Sequence, residues 1–225
     1  VKGGSDHHFS FHGAEGEVTT EGLNLVPQST GTYAGEDTEF GVRSSNDKGN
    51  SGFHWLKNVE RDVNPPKQFS VDWNVKDTWG IYGKGFGADT DVHLRLTMLG
   101  DVDELALADG VPPRNKPGNP ETLRYMIAHR NGEDLESTFT SIIEPYKAER
   151  YIDTIEEIPV QTGGQPAGED VKALRVTLKD GRVDYIVSAL DNNISYIVDD
   201  KFEFKGFLGV YSERDGKPLY SYIND

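Results

Sequence analysis

Along most of this chain apolar and polar residues alternate with a period of two. Residues 67–76, KQFSVDWNVK, set Phe69, Val71, Trp73 and Val75 against Ser70, Asp72 and Asn74, the pattern of a strand with one buried face. Residues 92–99 repeat it, with Val92, Leu94, Leu96 and Met98 on one side. Runs at 122–130, 136–144, 171–179, 182–190, 194–199, 201–212 and 217–223 have the same character, and near the start Phe9 and Phe11 alternate with polar neighbours. Asp180-Gly181 joins VKALRVTLK to RVDYIVSAL, and Arg214-Asp215-Gly216 joins FLGVYS to KPLYSYI, so hairpins are expected at both places. Strands at this spacing, with turn residues between them, predict an all-β fold, an antiparallel β-sandwich.

Three stretches interrupt the pattern. Residues 28–53 are rich in Gly, Ser, Thr, Asn and Asp and poor in large apolar groups, and read as a long surface excursion. Residues 109–121, DGVPPRNKPGNPE, hold four prolines and two glycines, which makes a stiff irregular connection. Residues 161–170, QTGGQPAGED, are the best candidate for an internal boundary. Because the strand pattern resumes at once on both sides, residues 1–225 read as one sandwich unit. No repeat of fixed period is visible.

Composition narrows the function classes. At 225 residues and 25.0 kDa the chain can bury a substantial core. No apolar stretch approaches the roughly 20 residues that span a bilayer, which predicts a soluble protein without a membrane partner. The absence of cysteine removes thiol nucleophiles, thiolate metal sites and disulfides. A balance of 23 basic against 38 acidic residues gives a net charge of −15, which repels nucleic acid and anionic lipid. It equally repels sulfated or uronic polysaccharide, so the chain is not expected to hold the main cleft for such a substrate alone. The sequence opens at Val1 without an initiator Met, a charged leader or an apolar signal core, so Val1 reads as a cut within something longer.

Candidate chemistry is concentrated near the start. His7, His8 and His12 lie within six positions of one another. On a strand His7 shares a face with Phe9 and Phe11, while His8, Ser10 and His12 share the other. His8 and His12 are then roughly 13 Å apart, too far to hold one metal ion at about 2.1 Å each. His129 precedes Arg130-Asn131-Gly132 and reads as a cap or hairpin contact; His54 and His93 have no acid or nucleophile at an informative spacing. Asp101, Asp103 and Glu104, and likewise Asp199 and Asp200, lack a Gly-centred calcium loop and read as surface acids. No serine sits in a nucleophile elbow, and GKGFG at 83–87 reads as a turn rather than a phosphate cradle. No catalytic residue, metal site or cofactor is therefore expected. Among the tryptophans, Trp73 belongs to the core and Trp79, opening WGIYG, packs against the next strand. Trp55, beside His54 at the end of the long polar loop, is the best exposed platform for a sugar ring. The predicted binding residues are thus His7, His8, His12 and Trp55, the histidines becoming cationic as the pH falls toward about 6.

Two stretches resemble a known family. HHFSFHG, after a Gly-Gly turn, and LRYMIAHRNGEDLESTFTSIIEPYKAERYI together resemble the C-terminal part of heparinase II/III-like polysaccharide lyases. The best-matching parts are residues 1–13 and 121–152, where an Arg-Tyr strand, an Ala-His-Arg turn entrance, a Ser-Thr-Phe strand and a Glu-Pro-Tyr end occur in the family's order. The resemblance implies a large secreted or periplasmic bacterial enzyme that cleaves acidic polysaccharides such as glycosaminoglycans by β-elimination. It implies an N-terminal α/α toroid ahead of β-sandwich domains in the same polypeptide. In that family the proton-moving Tyr and His and the metal-binding His and Asp precede the matched segments, and none of their motifs can be placed on this sequence. The chain is accordingly expected to support the toroid, help line the acidic-glycan cleft and be inactive alone. The alternatives are a stand-alone carbohydrate-binding or adhesion module and, third, a complete small glycan-active enzyme.

Overall fold

The structure, a computed structural model, describes residues 1–42, 52–78, 80, 88–112 and 119–224, with backbone alone at 88 and 89. It falls into two compact units, Val1–Ala148 and Glu149–Asp225, each built from two antiparallel sheets.

The first unit contains β1 (Asp6–His12), β2 (Gly16–Glu21), β3 (Val26–Pro27), β4 (Leu56–Asp62), β5 (Gln68–Asp77), β6 (Ala88–Leu99), β7 (Glu104–Gly110), β8 (Leu123–Asn131) and β9 (Thr140–Lys147), with a 3-10 turn at Phe53–Trp55. One sheet runs β1-β8-β7-β4-β3 and the other β2-β5-β6-β9. Alternation sends Phe69, Val71 and Trp73 of β5 and Leu96 and Met98 of β6 into one core with Leu105, Leu107, Met126 and Ala128 of β7 and β8. Trp73 is fully buried, and its indole Nε1 donates to the Arg124 carbonyl at 3.0 Å, linking the two sheets. Gly13 must stay bare, since a Cβ there would lie 2.5 Å from Trp73 Cγ. The opposite face of the first sheet carries a smaller cluster of Tyr33, Val59, Ala106, Ala108 and Ile127, with Phe53, Leu56 and Tyr125 packed against it.

The second unit contains β10 (Ile152–Glu157), β11 (Val160–Thr162), β12 (Gln165–Pro166), β13 (Val171–Leu178), β14 (Arg182–Ala189), β15 (Tyr196–Val198), β16 (Phe202–Phe204), β17 (Leu208–Arg214) and β18 (Lys217–Asn224). Its sheets run β10-β13-β14-β17-β18 and β12-β11-β15-β16. Val171, Ala173, Tyr185, Val187 and Ala189 of the larger sheet bury against Tyr196, Val198 and Phe204 of the smaller. Both expected hairpins form, β13–β14 and β17–β18, the latter turning on Asp215 and Gly216 at φ 51° and 70°.

Every ladder among the described residues is antiparallel, as the alternation predicts, but the single sandwich spanning 1–225 is not what forms. The strands sort into four sheets, because β13 and β14 bury their apolar faces on a core of their own instead of on the Trp73 cluster. The division falls after Ala148, not at 161–170; there Gly163 and Gly164, both at positive φ, close the β11–β12 hairpin inside the second unit. The excursion at 28–53 is not wholly on the surface, since Tyr33 is buried within the smaller cluster of the first unit. GKGFG and Trp79 lie outside the described residues. No helix among the described residues is long and apolar enough to cross a membrane.

Candidate functional site

Strands β1 and β8 are neighbours, in a register that sets His8 opposite His129 and His12 opposite Tyr125. That pairing sorts the three N-terminal histidines. His7 is buried with Phe9 and Phe11 on its side of the strand; its Nε2 lies 2.7 Å from the Gly3 carbonyl and its Nδ1 2.9 Å from the Ser137 hydroxyl. The carbonyl can only accept, so Nε2 carries a hydrogen, and in the neutral ring Nδ1 accepts from Ser137. Both nitrogens are occupied in fastening the N-terminal segment, and His7 is not placed to meet a ligand.

His8 lies on the other face, reaching solvent but partly desolvated by the rings around it. Its ring stacks on that of His129 with centroids 4.2 Å apart and planes 8° from parallel, and the Phe53 and Tyr33 rings stand 5.0 and 6.1 Å away. His129 Nε2 donates to Asp6 Oδ1 at 3.0 Å. Farther along the strand, the His12 ring tilts against Tyr125 at 4.7 Å while its Nδ1 donates to the Gly13 carbonyl at 2.9 Å. The result is a strip of imidazole and phenol rings across two strands.

Trp55 does not join this strip. It is 46% exposed and meets Phe40 edge-on at 5.7 Å, with Lys57 Nζ 5.4 Å from the Phe40 ring centre. Successive residues of a 3-10 turn rotate by about 120°, so Phe53 and Trp55 of the same turn point apart, and Phe53 is the one that reaches His8. The expected surface of His7, His8, His12 and Trp55 thus becomes one centred on His8, His12 and His129, walled by Phe53, Tyr33 and Tyr125.

The charges around His8 are arranged. Burial, and next the neighbouring His129, hold the His8 pKa below the usual imidazole value, outweighing the pull of Asp6 and Glu104. Hydrogen bonds, first from Ser5 and then from His129, hold the Asp6 carboxyl below its usual range. Tyr33 is pushed up to about 12, mainly by burial and then by Glu104. Glu104 is ion-paired to Arg61, whose guanidinium lies 4.6 Å over the Tyr33 ring and donates to the Tyr33 carbonyl at 3.0 Å. At neutral pH the stacked face therefore presents an uncharged His8, able to donate from one nitrogen and accept at the other. The expectation that His8 gains charge near the ordinary imidazole value does not fit these surroundings.

Arg61 also lines an open cleft of about 1400 Å³ formed by the ends of β3 and β4 and the loops around Pro65 and Asp101. Its charges are largely neutralised in place: Lys67 pairs with Asp101 at 3.2 Å and Arg130 with Asp103 at 3.3 Å. Asp62 caps the amides of Asn24 and Asn64. In the second unit Asp199 accepts from Arg175 and Asp200 from Gln161. The acids singled out in the sequence are thus engaged by cations or amides, and no group of three metal-ligating side chains occurs among the described residues.

Sequence reasoning missed two further arrangements. His129, expected as a cap, becomes a stacking partner through the β1–β8 register. His93, which has no acid at an informative spacing in the sequence, meets Asp72 through the β5–β6 pairing: Nδ1 lies 2.7 Å from Asp72 Oδ1, while Tyr146 donates to Oδ2 at 2.6 Å and stacks on the imidazole at 4.6 Å. Only strand register brings these groups together, and register is what an isolated sequence does not state. The chain matches no protein-family model and no curated protein.

Proposed function

We propose that this chain is the C-terminal β-region of a heparinase II/III-like polysaccharide lyase, and that its His8–His129–His12 strip contacts the glycan. One observation carries this reading. The two stretches that resemble the family, HHFSFHG and LRYMIAHRNG, are adjacent strands in continuous register from Asp6↔Asn131 to His12↔Tyr125. Segments distant in the chain thus share the face opposite the main core, and it is there, beside the smaller cluster, that their imidazoles stack.

The chemistry of that face suits a carbohydrate. Sugar hydroxyls need donors and acceptors in close alternation, which neutral imidazoles supply, while rings such as Phe53 and Tyr125 offer apolar area to C–H faces. The surrounding acids do not favour a polyanion, so this strip would wall a cleft whose cationic and catalytic groups lie on the toroid. A stand-alone carbohydrate-binding module is the second reading, favoured by the exposed Trp55–Phe40 pair beside Lys57.

Calorimetric titration of heparan sulfate, hyaluronan and alginate oligosaccharides into the wild type, His8→Ala, His129→Ala and Trp55→Ala chains tests both readings. Weak binding lost in the two histidine variants and kept in Trp55→Ala supports the lyase strip. The reverse pattern supports the binding module, and equal affinity for all four chains removes this surface.

A further inference from the structure

We propose that β18 is a dimerisation strand, which pairs antiparallel with β18 of a second copy about a twofold axis at Ser221. All eight residues of Lys217–Asn224 are exposed although every one but Leu219 is paired with β17 on one side, because the strand is the edge of its sheet. Four large apolar side chains lie along it, Leu219 at 53%, Tyr220 at 56%, Tyr222 at 43% and Ile223 at 52% exposure. Edge strands are normally blunted by charge, proline or a bulge. Here Lys217, Pro218 and the bulge at Leu219, which falls between the partners of Ser212 and Glu213, all sit at the hairpin end, leaving the stretch from Tyr220 to Asn224 without such protection.

The order of side chains identifies the partner. Outward from Ser221 the strand has the same character in both directions: Tyr220 and Tyr222, then an aliphatic residue, Leu219 or Ile223. In an antiparallel pair centred on Ser221, Tyr220 meets the partner's Tyr222, a pair that occurs twice by symmetry, and the bulged Leu219 lies toward the partner's Ile223. Aromatic and aliphatic cross-strand pairs of this kind are the stabilising units of a sheet. A slip of one residue opposes Tyr220 to serine and moves every side chain to the wrong face, so the register is specified by the strand itself. Pro218, which has no N–H, falls at the end of the paired stretch. Two strands bury less than the roughly 1,200 Å² typical of stable complexes, so the dimer is expected to dissociate at about 1–100 µM.

Sedimentation velocity of the complete chain across that concentration range should show its mass doubling. A Tyr220→Lys/Tyr222→Lys variant, which sets lysine against lysine in this register, should stay monomeric with an unchanged circular dichroism melt. Because the chain has no cysteine, single thiols report the register directly. Ser221→Cys faces its own copy at a Cα separation of about 4.5–5.5 Å and should form a covalent dimer in oxidised glutathione. Leu219→Cys, also exposed but roughly 13 Å from its own copy, should not. A wild type that remains monomeric throughout, a double-lysine variant that still dimerises, or equal cross-linking at both positions would each overturn the proposal.

Discussion

Replacing Trp73 by alanine tests how the first unit is held together. The indole is fully buried between the sheets, touches Phe11 edge-on at 5.6 Å, and satisfies the Arg124 carbonyl at 3.0 Å. Emptying such a site costs about 3–5 kcal/mol in lost contacts and cavity, and orphaning the carbonyl adds about 1–3 kcal/mol. Their sum is comparable with the roughly 5–15 kcal/mol that keeps a domain folded. Trp73→Phe keeps a ring in the cavity and should forfeit chiefly the hydrogen bond, about 1–3 kcal/mol. The second unit has its own core and shares none of these contacts. Hydrogen exchange followed by mass spectrometry should therefore show protection collapsing in β5, β6, β7 and β8 of the alanine variant while β13, β14 and β17 keep theirs. Loss of protection spread evenly over both units, or an effect under about 1 kcal/mol in the alanine variant, would refute the assignment of Trp73 as the joint of one independent core.

Protonation of His8 should destabilise the first unit: its folded pKa lies below the usual imidazole value, so its contribution is full above about 6.5 and is lost as the pH falls through that value toward the lower folded one. His129→Ala should raise the His8 pKa only part of the way back, because burial is the larger cause; proton NMR titration of the ring would contradict this if the value did not move or returned fully to that of free imidazole. Tyr33, with a folded pKa of about 12, should ionise late in an ultraviolet titration, and the unit should lose stability as the pH rises from about 10 toward that value; a Tyr33→Phe chain that leaves the late-titrating phenol in place would refute that. Incubated with heparin, heparan sulfate, hyaluronan or alginate, the isolated chain should release no unsaturated product, since β-elimination needs a base and an acid placed together on the sugar. Turnover that co-purifies with folded chain would overturn that expectation.

Strand positions were legible wherever one face is buried and the other wet. β5, β13, β14 and β18 lie within a residue or so of the alternating runs that predict them. Strands escaped notice where that asymmetry fails. In β7, Leu105 to Ala108 are buried on both faces, so ELALADG shows no alternation. In β4 a bulge near Asn58, at φ 51°, breaks the period, and β10 hides two buried isoleucines among acids. The run at 201–212 divides into β16 and β17 because Gly206, at φ 151°, takes a conformation that ends the strand between two apolar stretches. Nothing in a period of two says which strands share a core, which is why the division after Ala148 was not visible and residues 1–225 read as one unit, with the Gly-rich stretch at 161–170 the best candidate for a boundary inside it.

The candidate site shows the same limit. Phe9 and Phe11 lie against the main core into which Met126 and Ala128 also point. Once that is known, parity forces His8, Ser10 and His12 of one strand and Tyr125, Ile127 and His129 of the other onto the opposite face. Each half of this was written in the sequence, since in both segments the imidazole and phenol groups occupy the positions between apolar ones. What the sequence lacked was the adjacency of β1 and β8, which follows from sheet order and not from any local pattern. A slip of one residue between them would carry Phe9 and Phe11 out of the core and His8 into it, at a cost far larger than any gain from ring stacking. The His8–His129 pair is therefore a consequence of hydrophobic register on the buried face, and its arrangement should survive substitutions on the exposed face that leave those apolar residues untouched.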